Sequence, residues 1–418
     1  MKSYIVEGGR KIEGEVSVSG SKNASLPIIA ACILNKGITK LYNVPNIHDT
    51  QVMLQILKYL GCKIKKNNGK IIIDSTKVIK YDIPEKLMSQ MRSSVILAGA
   101  LIGRLNKAEF SCPGGCDIGA RPIDLHLKAF ENLGINIEEK AGKIVCFCDK
   151  IVSAKITLDF PSVGATENAI LASVLAEGKT EIINAAMEPE IIDLQNILNK
   201  MGAKITGAGS NVIIIEGVKK LKNISYKIMP DRIEAGTFLC TAAITGGKIT
   251  LKNVIPEHLM PVLSKLEECG CKIEIANNTI KLEAPRKLKN VDIKTMPYPG
   301  FPTDMQSIFA SMLCTAKGTS LVVENIFENR YKYTNELKKM GAKFIIEGRS
   351  AIIKGTRKLT GTNVKATDLR GGAALVVAAL NAKGETQIEN IEYILRGYEN
   401  LDKKLNSVGA NIKIVDIE

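Results

Sequence analysis

Tryptophan is absent, histidine occurs three times, and aromatic residues make up 5% of the chain. Single-stranded nucleic acids are held by aromatic stacking between basic residues, and no basic run here is interleaved with aromatics. A nucleic-acid partner is therefore not expected, in spite of a net charge of +14. His48, His126 and His258 are widely separated, and the close cysteine pairs (Cys146 and Cys148, Cys269 and Cys271) are Cys-x-Cys rather than Cys-x-x-Cys, so no metal site is expected. Long hydrophobic runs are missing as well. The clearest, residues 28–34 and 373–380, fall far short of the roughly 20 residues of a membrane-spanning helix. The opening MKSYIVEGGRKIEG has neither the apolar centre nor the small-residue cleavage pattern of a secretory signal, and most of the ten cysteines lie inside apolar patterns where thiols are simply buried. A reduced, cytoplasmic protein without a membrane partner is the expectation.

What is present is an ordinary globular composition of 418 residues, 45% hydrophobic and 24% charged, enough for two to three domains. The basic excess is mostly lysine, 46 against 11 arginines. Lysine is a solvated point charge, whereas the arginine fork suits carboxylate and phosphate, so the few arginines carry more information and an anionic small molecule is the economical partner.

A six-fold repeat organises the chain. Gly-centred phrases that close a helix and open a strand recur at Gly61, Gly134, Gly202, Gly270, Gly341 and Gly409, with spacings of 73, 68, 68, 71 and 68 residues. Each module reads as strand, helix, strand, helix and strand pair. In the first, residues 14–19 alternate as a strand, 24–34 form an apolar helix, 38–44 a strand, 50–60 an amphipathic helix, and 62–66 with 70–74 a hairpin about Asn67-Asn68-Gly69. Three modules and three modules favour two domains: residues 22–229, and residues 1–21 with 230–418. The last module lacks a strand, which residues near Tyr4–Val6 are expected to supply.

Upstream of five of the glycines a strand ends in Asn43, Asn184, Asn253, Asn325 or Asn390, but the second module has Cys112 there. From that residue to its glycine the gap is 22 residues, against 16 to 19 elsewhere, so about four extra residues occupy the segment CPGGCDIGARP at 112–122. Loop drift explains an insertion of this kind, but a Gly- and Pro-rich loop also lets a thiol reach a ligand. Arg121 would favour the thiolate and Asp117 oppose it.

A second regularity precedes the first helix of each module: Ser21-Lys22-Asn23, Met91-Arg92-Ser93, Ser162-Val163-Gly164, Asp231-Arg232, Thr303-Asp304 and Asp368-Leu369-Arg370. Ser and Asp there are ordinary helix caps. Lys22, Arg92 and Arg370 oppose the helix dipole, which points to a bound anion.

These residues carry a resemblance. GSKNASLP (20–27), PGGCDIGARPIDLH (113–126), SVGATEN (162–168), EPEIIDL (188–194), PDRIEAGTFL (230–239), GFPTDMQ (300–306), FENR (327–330), DLRGGAALV (368–376) and RGYE (396–399) together resemble the UDP-N-acetylglucosamine 1-carboxyvinyltransferase family along the whole chain. The resemblance implies an α/β enolpyruvyl transferase fold of two inside-out barrels, three modules each. It implies transfer of the enolpyruvyl group of phosphoenolpyruvate to the 3'-hydroxyl of UDP-N-acetylglucosamine, the first committed step of peptidoglycan synthesis, without cofactor or metal. By the same resemblance Cys116 is the loop cysteine that donates a proton, can bind phosphoenolpyruvate covalently and is alkylated by fosfomycin. Lys22, Arg121 and Arg396 hold phosphoenolpyruvate, Asn23 lies beside the reacting carbon, and Asp304 accepts the proton of the sugar hydroxyl. Arg92, the stretch Arg121, Pro122, Ile123, Asp124 and Leu125, then Ser162, Val163, Gly164 and Ile326 meet the nucleotide sugar, with Arg330 and Arg370 as further cleft arginines. A loop that closes on ligand would exclude water from the reacting cation.

Three residues depart from the family pattern: Met187 where arginine is frequent, Tyr333 where histidine is usual, and Asp117 where a small or hydroxylated residue is usual. The related transferase that uses shikimate 3-phosphate shares the Gly-Ser-Lys start but lacks the cysteine loop. A catalytically silent paralogue is opposed by the joint presence of Lys22, Cys116, Asp304 and Arg396.

Overall fold

The computed structural model describes residues 2–67, 69–111 and 123–416. These form two compact units, one from residues 20–229 and one from residues 1–19 with 230–418.

In the unit of residues 1–19 and 230–418, three apolar helices lie inside and three sheets lie outside. The helices Arg232–Thr245, Thr303–Leu313 and Leu369–Asn381 touch one another pairwise, and almost every side chain along them is buried. A helix that is apolar all round has no face to offer to water, so it becomes the centre rather than the skin. The sheets alternate instead. In the strand Lys248–Lys252 the residues Ile249 and Leu251 enter the core, while Lys248 and Lys252 face outward and pair with Glu283 and Glu15. This is an inside-out α/β barrel.

The unit of residues 20–229 repeats the plan with the helices Lys22–Ala31, Ile96–Leu105 and Val163–Ser173. The last two approach closely because Gly99 and Gly103 have no side chain: a Cβ on Gly99 would stand 2.5 Å from the Asn168 carbonyl oxygen, and one on Gly103 2.6 Å from that of Leu171. The Lys22–Ala31 helix begins two residues before the apolar pattern does, because the Ser21 hydroxyl accepts the Ala24 N–H at 3.2 Å and caps it there.

Each module is a parallel strand–helix–strand crossover followed by a second helix and an antiparallel hairpin that inserts its second strand beside the crossover pair. In one sheet, for instance, the strands lie side by side in the order Lys204–Thr206, Val212–Glu216, Lys179–Ile183 and Lys155–Thr157. The sheet of the last module is completed by Lys2–Glu7, which lies between Glu385–Glu389 and Asn411–Asp416. Two modules exchange first strands between the units. Glu13–Ser17 pairs with Lys248–Lys252, yet its chain continues into the Lys22–Ala31 helix; Ile224–Lys227 pairs with Ile38–Tyr42, yet continues into Arg232–Thr245. The strand expected at residues 14–19 therefore forms, but in the sheet of the other unit from its helix.

Both repeated sequence signals have a backbone cause. All six glycines adopt left-handed φ, from 76° to 114°, where helix turns into strand. Asn43, Asn184, Asn253 and Asn390 are also left-handed, φ 55–59°, directly after the second strand of their modules. The side-chain amides of the first three donate to Ile228 O, Leu158 O and Val18 O at 2.9, 2.8 and 2.7 Å, clasping the end of the neighbouring first strand. The fifth module corrects the sequence alignment by one residue. Its strand Thr319–Val323 is followed by Glu324, and Asn325 makes the clasp, to Thr295 O at 2.9 Å, from one position later. In the second module Cys112 has no amide to donate, and the first strand is reduced to a single bridge between Asp82 and Glu109.

Candidate active site

In the unit of residues 20–229, Lys22 lies in the first turn of its helix with Nζ 2.8 Å from the Asp49 carboxylate. Lys22 is almost buried and Asp49 wholly so, and the pair offsets both the desolvation of the two charges and the adverse dipole at Lys22. Asp49 was not legible as a partner, since an acid in a first helical turn is ordinary. Asn23 follows Lys22 and is half-buried.

Ser162 caps the Val163–Ser173 helix by accepting the Ala165 N–H at 3.4 Å, so Val163 and Gly164 open it. The ring of His126 lies over Gly164, where a Cβ would meet its Cε1 at 2.9 Å. Asn168 Oδ1 accepts the Gly99 N–H at 2.8 Å, which fixes its Nδ2 as the donor to Val95 O at 3.2 Å and to His126 Nδ1 at 2.7 Å. The helix Asp124–Asn132, with Ile123 before it and Leu125 in its first turn, is thereby docked against Ser162–Gly164. Two of the predicted stretches are thus neighbours, through a His and an Asn that sequence reasoning left aside. Arg92 opens a short 3-10 turn, Arg92–Val95; its side chain is outside the description. Cys112, Cys116, Asp117, Arg121 and Pro122 lie outside the described residues.

On the Val163–Ser173 helix, Glu167 is buried. Burial first, then Glu190 and Glu188, push its carboxyl well above the ordinary range.

In the unit of residues 1–19 and 230–418 the centre is Asp304, second residue of the Thr303–Leu313 helix. Its Oδ1 accepts from Arg330 Nη2 at 3.3 Å and its Oδ2 from Arg370 Nη2 at 3.0 Å. Both arginines are 3% exposed, against 28% for the Asp304 side chain, so the carboxylate is the open side of a buried cationic pair. Arg330 also donates to Thr303 O at 3.2 Å and lies over the Phe327 ring. Arg370 lies over the Tyr398 ring, whose hydroxyl is 2.9 Å from Thr237 Oγ1. Burial works against the Arg370 charge, but Asp304, then Tyr398 and Asp231, outweigh it and raise its pKa. The predicted residues Arg330, Asp304 and Arg370 are therefore brought together, and Ile326 is tied to them through Glu324, which accepts both the Ile326 N–H at 2.9 Å and the Thr303 hydroxyl at 3.1 Å. Arg396 is half-buried after the short Glu392–Leu395 helix, and its neighbour Gly397 lets that loop close on Leu369, beside Arg370: a Cβ there would meet the Leu369 side chain at 2.5 Å. Asp231 and Asp368 are helix caps, each accepting two backbone N–H groups.

Lys22 and Arg370 each already face a carboxylate, so their placement does not by itself require a bound anion. Among the described residues no group of His, Cys, Asp and Glu is arranged to hold a metal, and no helix is long and apolar enough to cross a membrane.

Comparison with known proteins agrees with this architecture. The sequence model of the family EPSP synthase (3-phosphoshikimate 1-carboxyvinyltransferase) matches residues 6–405. Among solved structures, the enolpyruvyl transferase NikO from Streptomyces tendae superposes with a TM-score of 0.89 at 22% identity, covering 99% of this chain and 98% of its own. EPSP synthase from Acinetobacter baumannii gives 0.76 at 20%, covering 99% and 100%. The fold is that of the enolpyruvyl transferases. Curated relatives are much nearer in sequence: UDP-N-acetylglucosamine 1-carboxyvinyltransferase 2 of Caldanaerobacter subterraneus subsp. tengcongensis is 54% identical over 99% of both chains, and UDP-N-acetylglucosamine 1-carboxyvinyltransferase of Clostridium botulinum 47% over 99% of both. The chain belongs to the UDP-N-acetylglucosamine 1-carboxyvinyltransferase family.

Proposed function

We propose that the protein transfers the enolpyruvyl group of phosphoenolpyruvate to the 3'-hydroxyl of UDP-N-acetylglucosamine and releases phosphate, in the cytoplasm, as the first committed step of peptidoglycan synthesis. The observation that carries this reading is 54% identity, end to end, to a protein named for that activity. The paired arginines around Asp304 support it.

The chemistry assigns work to each residue. Cys116 donates a proton to C3 of the enol, which leaves C2 electron-poor. The sugar hydroxyl oxygen attacks C2 as its proton passes to Asp304, giving a tetrahedral phospho-ketal. Return of a C3 proton to the Cys116 thiolate and cleavage of the C2–O bond to phosphate restore the double bond and expel phosphate. Lys22, Arg121 and Arg396 balance the carboxylate and phosphate of phosphoenolpyruvate, with Asn23 beside the reacting carbon. Arg92, residues 121–125, Ser162–Gly164 and Ile326 take the nucleotide sugar. No cofactor enters this sequence of steps.

Phosphate release from phosphoenolpyruvate decides the matter, measured with UDP-N-acetylglucosamine or shikimate 3-phosphate as acceptor. Turnover with the nucleotide sugar, lost in Cys116→Ser and Asp304→Asn, is expected; turnover with shikimate 3-phosphate alone would transfer the chain to the other branch of the fold.

A further inference from the structure

The residue directly after the second strand is where the six modules part company. Four have a left-handed Asn, the second has Cys112, and the fifth has Glu324. The Asn clasp survives in the fifth module one position later, so Glu324 is an addition to the plan rather than a replacement of its function.

Glu324 is fully buried, and its carboxylate is met by hydroxyls and amides rather than by a Lys or Arg. Its Oε1 accepts from Thr295 Oγ1 at 2.9 Å, Thr303 Oγ1 at 3.1 Å, Ile326 N at 2.9 Å and Phe327 N at 3.2 Å; its Oε2 lies 3.0 Å from the Thr303 hydroxyl. One side chain thus joins the end of a first strand, the first residue of an inner helix and the turn that follows the second strand. A buried carboxylate is costly unless it is hydrogen-bonded, and this one accepts from two hydroxyls and two backbone N–H groups. Strand and turn are held without it in the other modules. What is particular to the fifth is what the three segments carry: Asp304 next to Thr303, Ile326 itself, and Arg330, which reaches back to Thr303 O and Asp304.

We propose that Glu324 is a positioning residue for the transfer reaction, fixing the proton acceptor Asp304 against the Ile326–Arg330 turn that meets the nucleotide sugar. The inference rests on the proposed function for those two roles. It makes Glu324 selective between substrates, because the partners of its carboxylate are Thr295, Thr303, Ile326 and Phe327, on the segments that carry Asp304 and the proposed nucleotide-sugar contact.

The test compares Glu324→Ala, Glu324→Gln and Thr303→Val by steady-state phosphate release, varying each substrate in turn. Glu324→Ala is expected to raise KM for UDP-N-acetylglucosamine and lower kcat by about tenfold or more each, leaving KM for phosphoenolpyruvate within about twofold, since small misplacements of reacting groups cost on the order of that much. Glu324→Gln should recover most of the loss, because its carbonyl accepts the same two N–H groups and its amide can donate to Thr303. A fall in melting temperature with both KM values and kcat unchanged overturns the proposal, as does an equal rise in both KM values. If Glu324→Ala does not fold, Thr303→Val carries the test with the same expected selectivity. Hydrogen exchange at the Ile326 and Phe327 amides gives a readout that needs no turnover. Faster exchange there in Glu324→Ala supports the clasp even if the wild type fails to use UDP-N-acetylglucosamine, whereas unchanged exchange removes it.

Discussion

Asp304 has two tasks that a single substitution confuses. It is the proposed proton acceptor, and it is also the only carboxylate described between the guanidinium groups of Arg330 and Arg370. Asp304→Ala leaves those two buried cations facing each other and is expected to cost about 3–5 kcal/mol of stability, read from urea unfolding. Asp304→Asn keeps an acceptor oxygen of the same shape, so it should lose less stability while kcat falls by about 100-fold or more. Equal losses of stability in the two variants would mean that the charge alone, and not a remaining acceptor oxygen, holds the arginines. Glu234 gives a different residue-level signal. Burial, only partly opposed by Lys404, lifts its carboxyl from 4.5 to about 7, so the folded state binds its proton more tightly than the unfolded chain does. Its contribution is full at acid pH below about 4.5 and is lost as pH rises through about 7, at no more than about 1.4 kcal/mol per pH unit. Melting temperature against pH should therefore decline less in Glu234→Gln than in the wild type over that window; parallel curves would count against the shift. Asp117 makes a third case from sequence adjacency alone. A carboxylate beside Cys116 disfavours the thiolate, so Asp117→Ala should be alkylated by fosfomycin faster at neutral pH, and equal rates would remove the idea.

At the level of elements, the modules differ in how they tolerate change. Gly99→Ala puts a methyl 2.5 Å from the Asn168 carbonyl, which neither helix can yield without losing the Asn168 bonds to Gly99, Val95 and His126. A loss of about 1–3 kcal/mol in chemical denaturation is expected, with weaker nucleotide-sugar binding because Ser162–Gly164, the helix start proposed to meet that substrate, moves with it. Wild-type stability would show that the two helices part without cost. The elements were legible because their signals are local. A left-handed glycine after each helix and an Asn after each strand mark turns that the backbone itself requires. The clasp made by those Asn amides was not legible, since its acceptors at Val18 and Ile228 lie more than a hundred residues away in sequence. Glu324 was hidden for a related reason: Asn325 satisfies the same pattern one residue late, and spacing alone does not separate an inserted functional residue from drift. Lys22, Asp304 and Arg370 were found because charges beside apolar helix starts are conspicuous and Arg330 only through the family resemblance, but the Asp49 partner of Lys22 resembled any N-terminal helix acid.

The unit of residues 20–229 contains every strand of its own three sheets, whereas residues 230–418 lack two of theirs, Lys2–Glu7 and Glu13–Ser17. The fragment 20–229 is therefore expected to unfold cooperatively by itself. The fragment 230–418 should not do so until residues 1–19 are restored, for which a short linker suffices because Lys2 is the cross-strand partner of Asp416. Cooperative melting of 230–418 alone, followed by circular dichroism, would refute this. The same strand sets an order on biosynthesis. Ile5 pairs with Gln387 and Lys413, so the strand Lys2–Glu7 leaves the ribosome long before either strand that it joins has been made. The 20–229 unit can close while translation continues, but the other waits with an open sheet edge, and that interval is when the nascent chain is most exposed to mispairing and to chaperone capture.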